Sequence, residues 1–90
     1  MLENFKTYLI NKGYSEFTPS GNPSTAYDYT KRVSKICSRE AITVDHLADN
    51  IDFYIEKYGP TGNDSDFGKR SNNAFINALR RFAEFRVSHN

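Results

Sequence analysis

The stretch Ser71-Asn72-Asn73-Ala74-Phe75-Ile76-Asn77-Ala78-Leu79-Arg80-Arg81-Phe82-Ala83-Glu84-Phe85 decides how this chain is read. Phe75, Ala78, Leu79, Phe82 and Phe85 recur at helical spacing, which gathers them on one side of a 3.6-residue turn. Arg70, Asn73, Asn77, Arg80 and Arg81 fall on the side away from them. The pattern predicts a helix over about residues 69–87 with an apolar inner face and a basic, amide-bearing outer one. Strands would need alternation with a period of two, and no useful length of the chain shows it.

Three more helices are read outward from this one. The first covers about residues 2–12, with Phe5, Tyr8 and Leu9 on its inner face and Gly13 just past its end. The stretch from Ser15 to Ser24 holds Pro19, Gly21 and Pro23 and reads as a loop. The second helix covers about 24–39, with Ala26, Tyr29, Val33, Ile36 and Cys37 as its buried stripe. Asn22 before Pro23 and Ser24 compete for its N-cap. The third covers about 43–58, with Thr43 as N-cap and Asp45 favouring the positive helix end. Its stripe is Val44, Leu47, Ala48, Ile51, Tyr54, Ile55 and Tyr58, and Gly59-Pro60 stops it. A loop rich in Gly, Asn and Asp leads to the last helix. The expectation is a single all-α domain of four helices.

Composition sets the outer limits. Ninety residues, 38% hydrophobic and 14% aromatic, supply one domain with one modest core. One cysteine excludes an internal disulfide framework and a cysteine-based zinc site. No apolar run approaches the roughly 20 residues of a membrane span, and the start lacks a signal-peptide pattern. A cytoplasmic location without membrane attachment is therefore expected. The formal net charge of +1 excludes a generically basic nucleic-acid binder.

That total conceals a sorted distribution. Lys31, Arg32, Lys35 and Arg39 lie on the outer face of the second helix, against Asp28 and Glu40. Lys69, Arg70, Arg80, Arg81 and Arg86 stand against Glu84 alone in the last segment. Asp45, Asp49, Asp52 and Glu56 collect on the third helix, and Asp64 and Asp66 follow in its trailing loop. Two helices are thus basic outside and one is acidic. Phosphate contacts want positive side chains on a shared surface, whereas a single charge stripe is more often just a solvated face. Asn73 and Asn77, spaced i, i+4, are candidate readers of adenine edges in a major groove.

The last helix resembles the final helix of the core-binding domain of tyrosine recombinases, the phage integrases and their relatives. The shared features are its leading Ser71, the small-apolar-basic-basic-aromatic run Ala78-Leu79-Arg80-Arg81-Phe82, and the closing Phe85. Thr25, Tyr29 and Val33 match that family's Thr-x-x-x-Tyr-x-x-x-apolar helix. Phe5-x-x-Tyr8-Leu9 and Gly13-Tyr14-Ser15-Glu16 resemble the segment leading in, and Thr43 to Tyr58 fits the intervening helix. The resemblance covers nearly the whole chain through short, degenerate motifs. It implies a SAM-like four-helix bundle that binds double-stranded DNA as half of a clamp, with the second and fourth helices facing the major groove. The candidate contacts are then Lys31, Arg32, Lys35, Arg39, Lys69, Arg70, Arg80 and Arg81, with Asn73 and Asn77 as base readers. A tethered or separate recombinase catalytic domain is the implied partner.

The chain departs from the family in three places. Phe17 to Pro23 is inserted before the Thr-x-x-x-Tyr helix, so Ser15 and Ser24 compete as the family's capping serine. The Gly59–Gly68 loop is long and acidic. No catalytic domain with a nucleophilic tyrosine and His-x-x-Arg lies within these 90 residues, and the chain ends at Asn90 where a linker to one would begin. Nothing else in the sequence makes a catalytic constellation. His46 and His89 are the only histidines, and His46 beside Asp45 and Asp49 does not make a metal site. Cys37 sits on an apolar stripe without a positioned histidine, as a packed thiol would. Gly59-Pro60-Thr61-Gly62 lacks the Lys-Ser/Thr of a phosphate loop. The expected activity is non-catalytic DNA binding without a cofactor. The rival reading is a small helical protein–protein interaction module whose surface includes Phe53 and the acidic arc.

Overall fold

A computed structural model describes residues 1–88; His89 lies outside the described residues. Six helices form: α1 (Leu2–Asn11), α2 (Thr25–Glu40), α3 (Val44–Asp49), α4 (Ile51–Tyr58), α5 (Ser65–Gly68) and α6 (Arg70–Ser88). Four of them have seven or more residues, and no strand occurs among the described residues. The all-α expectation holds, but the helix count does not.

The expected third helix is two. Thr43 caps α3 as anticipated, its Oγ1 accepting from the His46 N–H at 3.0 Å. Asn50 then leaves helical geometry at φ −125° and ψ 29°. Its side-chain Nδ2 donates to the His46 carbonyl at 2.9 Å, a local bond of the kind by which asparagine competes with a continuing helix. Periodicity missed this break because the apolar stripe resumes almost in phase on the far side of Asn50. α5 was also unforeseen: four residues of an acidic loop coil into one turn.

The expected last helix contains a reversal. Ser71, Asn72 and Asn73 have φ of 55°, 59° and 66°, a left-handed run before the right-handed helix proceeds from Ala74. Asparagine tolerates this region better than most residues, yet each non-glycine position there is costly.

The other ends follow their local chemistry. Gly13 at φ 103° closes α1, with Gly13 N–H on Ile10 O and Tyr14 N–H on Leu9 O, the paired bonds of a Schellman ending. Ala41 does the same for α2 at φ 57°, with Ile42 N–H reaching Cys37 O. Ser24 takes the α2 cap position without a side-chain hydrogen bond. The inserted loop is folded: Phe17 and Pro23 pair across an isolated antiparallel bridge, and Ser24 N–H donates to Glu16 O at 2.9 Å.

α6 is the central element, packed against α1, α2, α3, α4 and α5. Its Phe75, Ile76, Ala78, Leu79, Phe82 and Phe85 are buried with Phe5 and Leu9 of α1, Val33 and Ile36 of α2, Leu47 of α3, and Tyr54 and Tyr58 of α4. Phe5 meets Phe82 edge-on at 5.2 Å between ring centres. The shortest dimension, 20 Å, is the thickness of two helical layers. Among the described residues no helix is long and apolar enough to cross a membrane.

Candidate nucleic-acid interface

α2 and α6 run antiparallel, and their charged side chains show it. Arg39, at the end of α2, lies over Phe67, which precedes α6, with its guanidinium carbon 4.4 Å from the ring centre. Arg32 lies 4.8 Å over Phe75 at the start of the right-handed part of α6. Tyr29, nearer the start of α2, stands close to Arg81 in the later half of α6.

Phe67 and Phe75 are themselves in contact, 4.5 Å between centres. Arg70 covers Phe67 at 4.9 Å. Three guanidiniums, Arg32, Arg39 and Arg70, therefore converge from two helices onto one pair of rings. Cations over aromatic faces gain from the ring quadrupole while remaining available at their edges. Lys35 lies between Arg32 and Arg39 in the same stripe of α2, and Lys31 rests 5.6 Å over Tyr27 on its outer side.

The expected contacts divide by whether they already hold a partner. Arg39 donates to the Tyr58 hydroxyl at 3.1 Å and reaches Asp64 at 3.4 Å. It is tied into a polar knot with Glu40, Lys57 and Tyr58. Lys57 donates to Glu40 at 2.8 Å, and the Tyr58 hydroxyl donates to the other Glu40 oxygen. Burial would raise the Glu40 pKa, but bonds from Lys57 and Tyr58 outweigh it and hold the carboxyl below its ordinary value of 4.5. Burial first, then Glu40, pushes the Tyr58 hydroxyl well above 10.0. Arg81 is similarly engaged. The Tyr14 hydroxyl beside it pushes its pKa up, and Glu84 pairs with it at 2.6 Å.

Lys31, Arg32, Lys35, Arg70 and Arg80 carry no carboxylate partner within 4.0 Å among the described residues, whereas Lys69 pairs with Asp66 at 3.3 Å in an exposed contact. Arg32 is half-buried, and its Nε meets no acceptor from the protein, as does that of Arg81. Asn73 and Asn77 do not form the expected i, i+4 pair on one regular helix, because Asn73 is left-handed; it is exposed and Asn77 is half-buried. The helix-three acids Asp45, Asp49, Asp52 and Glu56 are exposed, and none pairs with a cation of α2 or α6.

Sequence reasoning missed Phe67 and Phe75 as the platform that collects the arginines. Phe75 read only as core, and Phe67 lay in a loop without periodicity. The one available signal was Phe67 standing three residues before Arg70. Cys37 is buried and its thiol is pushed upward by that burial, which disfavours the thiolate. Phe53, which the rival reading puts on the surface, is 62% exposed.

Comparison with family models, with curated proteins and with solved structures finds no match to this chain.

Proposed function

We propose that this chain is a non-catalytic, SAM-like DNA-binding domain that meets duplex DNA with α2 and the start of α6, in the manner of a tyrosine-recombinase core-binding domain. The observation that carries the reading is the convergence of Arg32 and Arg70 on the Phe67–Phe75 pair, flanked by the unpaired Lys31 and Lys35. Unpaired cations on rigid helices pay little to leave their present contacts and release counterions from a phosphate backbone. The sequence resemblance supplies the duplex as the partner, and its second and fourth helices correspond to α2 and α6. Arg39 and Arg81 are removed from the contact set, since each already faces a carboxylate, Asp64 and Glu84 respectively.

The test is fluorescence anisotropy with a generic duplex at low salt. Non-specific binders of this kind show Kd of about 1–100 µM, and the affinity should fall with a log–log salt slope of about −0.9 per phosphate met. Arg32→Ala with Lys35→Ala should shallow that slope by about two while leaving helicity intact. Absence of binding at about 100 µM protein would reject the proposal. That result would favour the protein-interaction reading, which rests on the exposed Phe53 at the rim of a groove shared with Glu56, Lys57 and Thr61.

A further inference from the structure

A second basic feature lies at the α6 start, in a cavity of about 300 Å³ between the end of α4, α5 and α6. Tyr58 and Ile76 form part of its wall, and Ser65, Lys69, Asn73 and Arg80 bring polar groups to it. We propose that this cavity is a binding site for a compact phosphoryl anion, a phosphate or diphosphate group. The proposal does not need the duplex reading: Lys69, Asn73 and Arg80 are shared with its candidate contacts, but none of Arg32, Arg39 and Arg70 over the Phe67–Phe75 pair lines the cavity.

Four features point to an anion of this size. Its lining contains two cations and no carboxylate, unlike the surface hollow beside Lys31 and Lys35, which includes Asp28. Arg80 has no ion pair of its own among the described residues, so a planar fork of donors stands free at the cavity edge. Asn73 and Ser65 add an amide and a hydroxyl, the neutral donors that complete an oxyanion's shell. The carbonyls of the last α4 turn, which would repel an anion, are partly taken: Glu56 O accepts from Gly59 N–H and Lys57 O from Asp64 N–H. Asp66 opposes an anion through Lys69, to which it is held at 3.3 Å, and both side chains are largely exposed. Exposed pairs of this kind contribute little and exchange readily for a doubly charged ligand.

The left-handed run Ser71–Asn73 has a role in this arrangement. It changes the hand of the backbone between Lys69 and the right-handed helix, with the Asn73 N–H on the Lys69 carbonyl at 2.9 Å, and Asn73 and Lys69 stand on the same cavity as Arg80.

The experiment is a ¹⁵N-NMR titration of the 90-residue chain with sodium pyrophosphate, at an ionic strength held constant with sodium chloride. Saturable shifts are expected at the amides of Gly59, Ser65 and residues 69–73, with Kd on the order of 1 mM. Arg80→Gln should weaken binding about tenfold, the effect of losing one charge-assisted hydrogen bond. Lys69→Gln should weaken it less, because Asp66 already holds part of that charge, and Lys31→Gln should leave it unchanged. Shifts that never saturate, or an unchanged Kd for Arg80→Gln with native amide dispersion, would overturn the site. A duplex added to the pyrophosphate-loaded protein separates the sources of the phosphoryl group. Release of pyrophosphate assigns the site to a backbone phosphate, and retention assigns it to a free anion. Pyrophosphate binding without any duplex binding would sink the duplex reading and leave this one standing.

Discussion

Glu40 shows how one residue can organise a surface that the sequence presents as scattered charge. Its two oxygens take Lys57 and Tyr58, while Arg39 stands 3.7 Å from it and closes the group. Tyr58 is almost completely buried, so its hydroxyl needs this partner. Glu40→Gln should therefore destabilise the protein at pH 7 by about 1 kcal/mol, measured by urea unfolding. The pH dependence follows from the sign of the shift. A carboxyl held below 4.5 in the folded state contributes stability above that value and loses it as pH falls through its folded pKa. The stability difference between wild type and Glu40→Gln should close in that acid window. A gap that persisted there would mean that the carboxylate charge is not what Tyr58 and Lys57 use. Lys57 has the opposite sign: the Glu40 bond raises it, so its contribution is present below 10.5 and fades only above. None of this was legible from position. Glu40 and Arg39 read as two adjacent opposite charges at a helix end, and their partners lie 17 to 25 residues away.

At the scale of elements, the periodic stripes were legible and the interruptions were not. Val33, Ile36 and Cys37 in α2 and Leu79, Phe82 and Phe85 in α6 are buried where the helical period put them. Ile76 is also buried, because α4 packs on the flank of α6 and widens its apolar face. The breaks at Asn50 and at Ser71–Asn73 depend on side-chain bonds and tertiary packing that a hydrophobic period does not encode. The left-handed run gives a direct prediction. Ser71→Gly removes the Cβ penalty at φ 55° and should stabilise the fold by up to about 1 kcal/mol, raising Tm by several degrees. A lower Tm would show that the run is not the populated conformation. Gly68 predicts the opposite sign. A methyl group there would run into the Tyr58 carbonyl oxygen, so α5 can lie against the end of α4 only with glycine at this position. Gly68→Ala should destabilise by about 1–3 kcal/mol, and thermal melting checks it. It should also disturb the phosphoryl cavity, whose wall is formed by that same contact between α4 and α5.

At the scale of the molecule, α6 is the axle on which the other helices are mounted. Leu79, fully buried at its middle, should cost about 2–5 kcal/mol when replaced by Ala, a large part of the stability of a 90-residue domain. The same variant gives a control for DNA binding, since it weakens the fold without touching a cation. What the sequence determined by itself was local: an all-α chain, the apolar faces of its long helices, the Thr43 cap, the Gly13 stop, and the sorting of basic from acidic helices. Helical period, capping and charge are properties of near neighbours along the chain, which is why they can be read there. The tertiary structure alone decided which cations are free. Arg39 and Arg81 look the same in sequence as Arg32 and Arg80, yet the first two are spent on Tyr58, Asp64, Tyr14 and Glu84. It also decided that Phe67 leaves its loop to stack on Phe75 and that Lys69, Asn73 and Arg80 share a cavity. Those relations join residues through space, and packing sets them only when the helices have met.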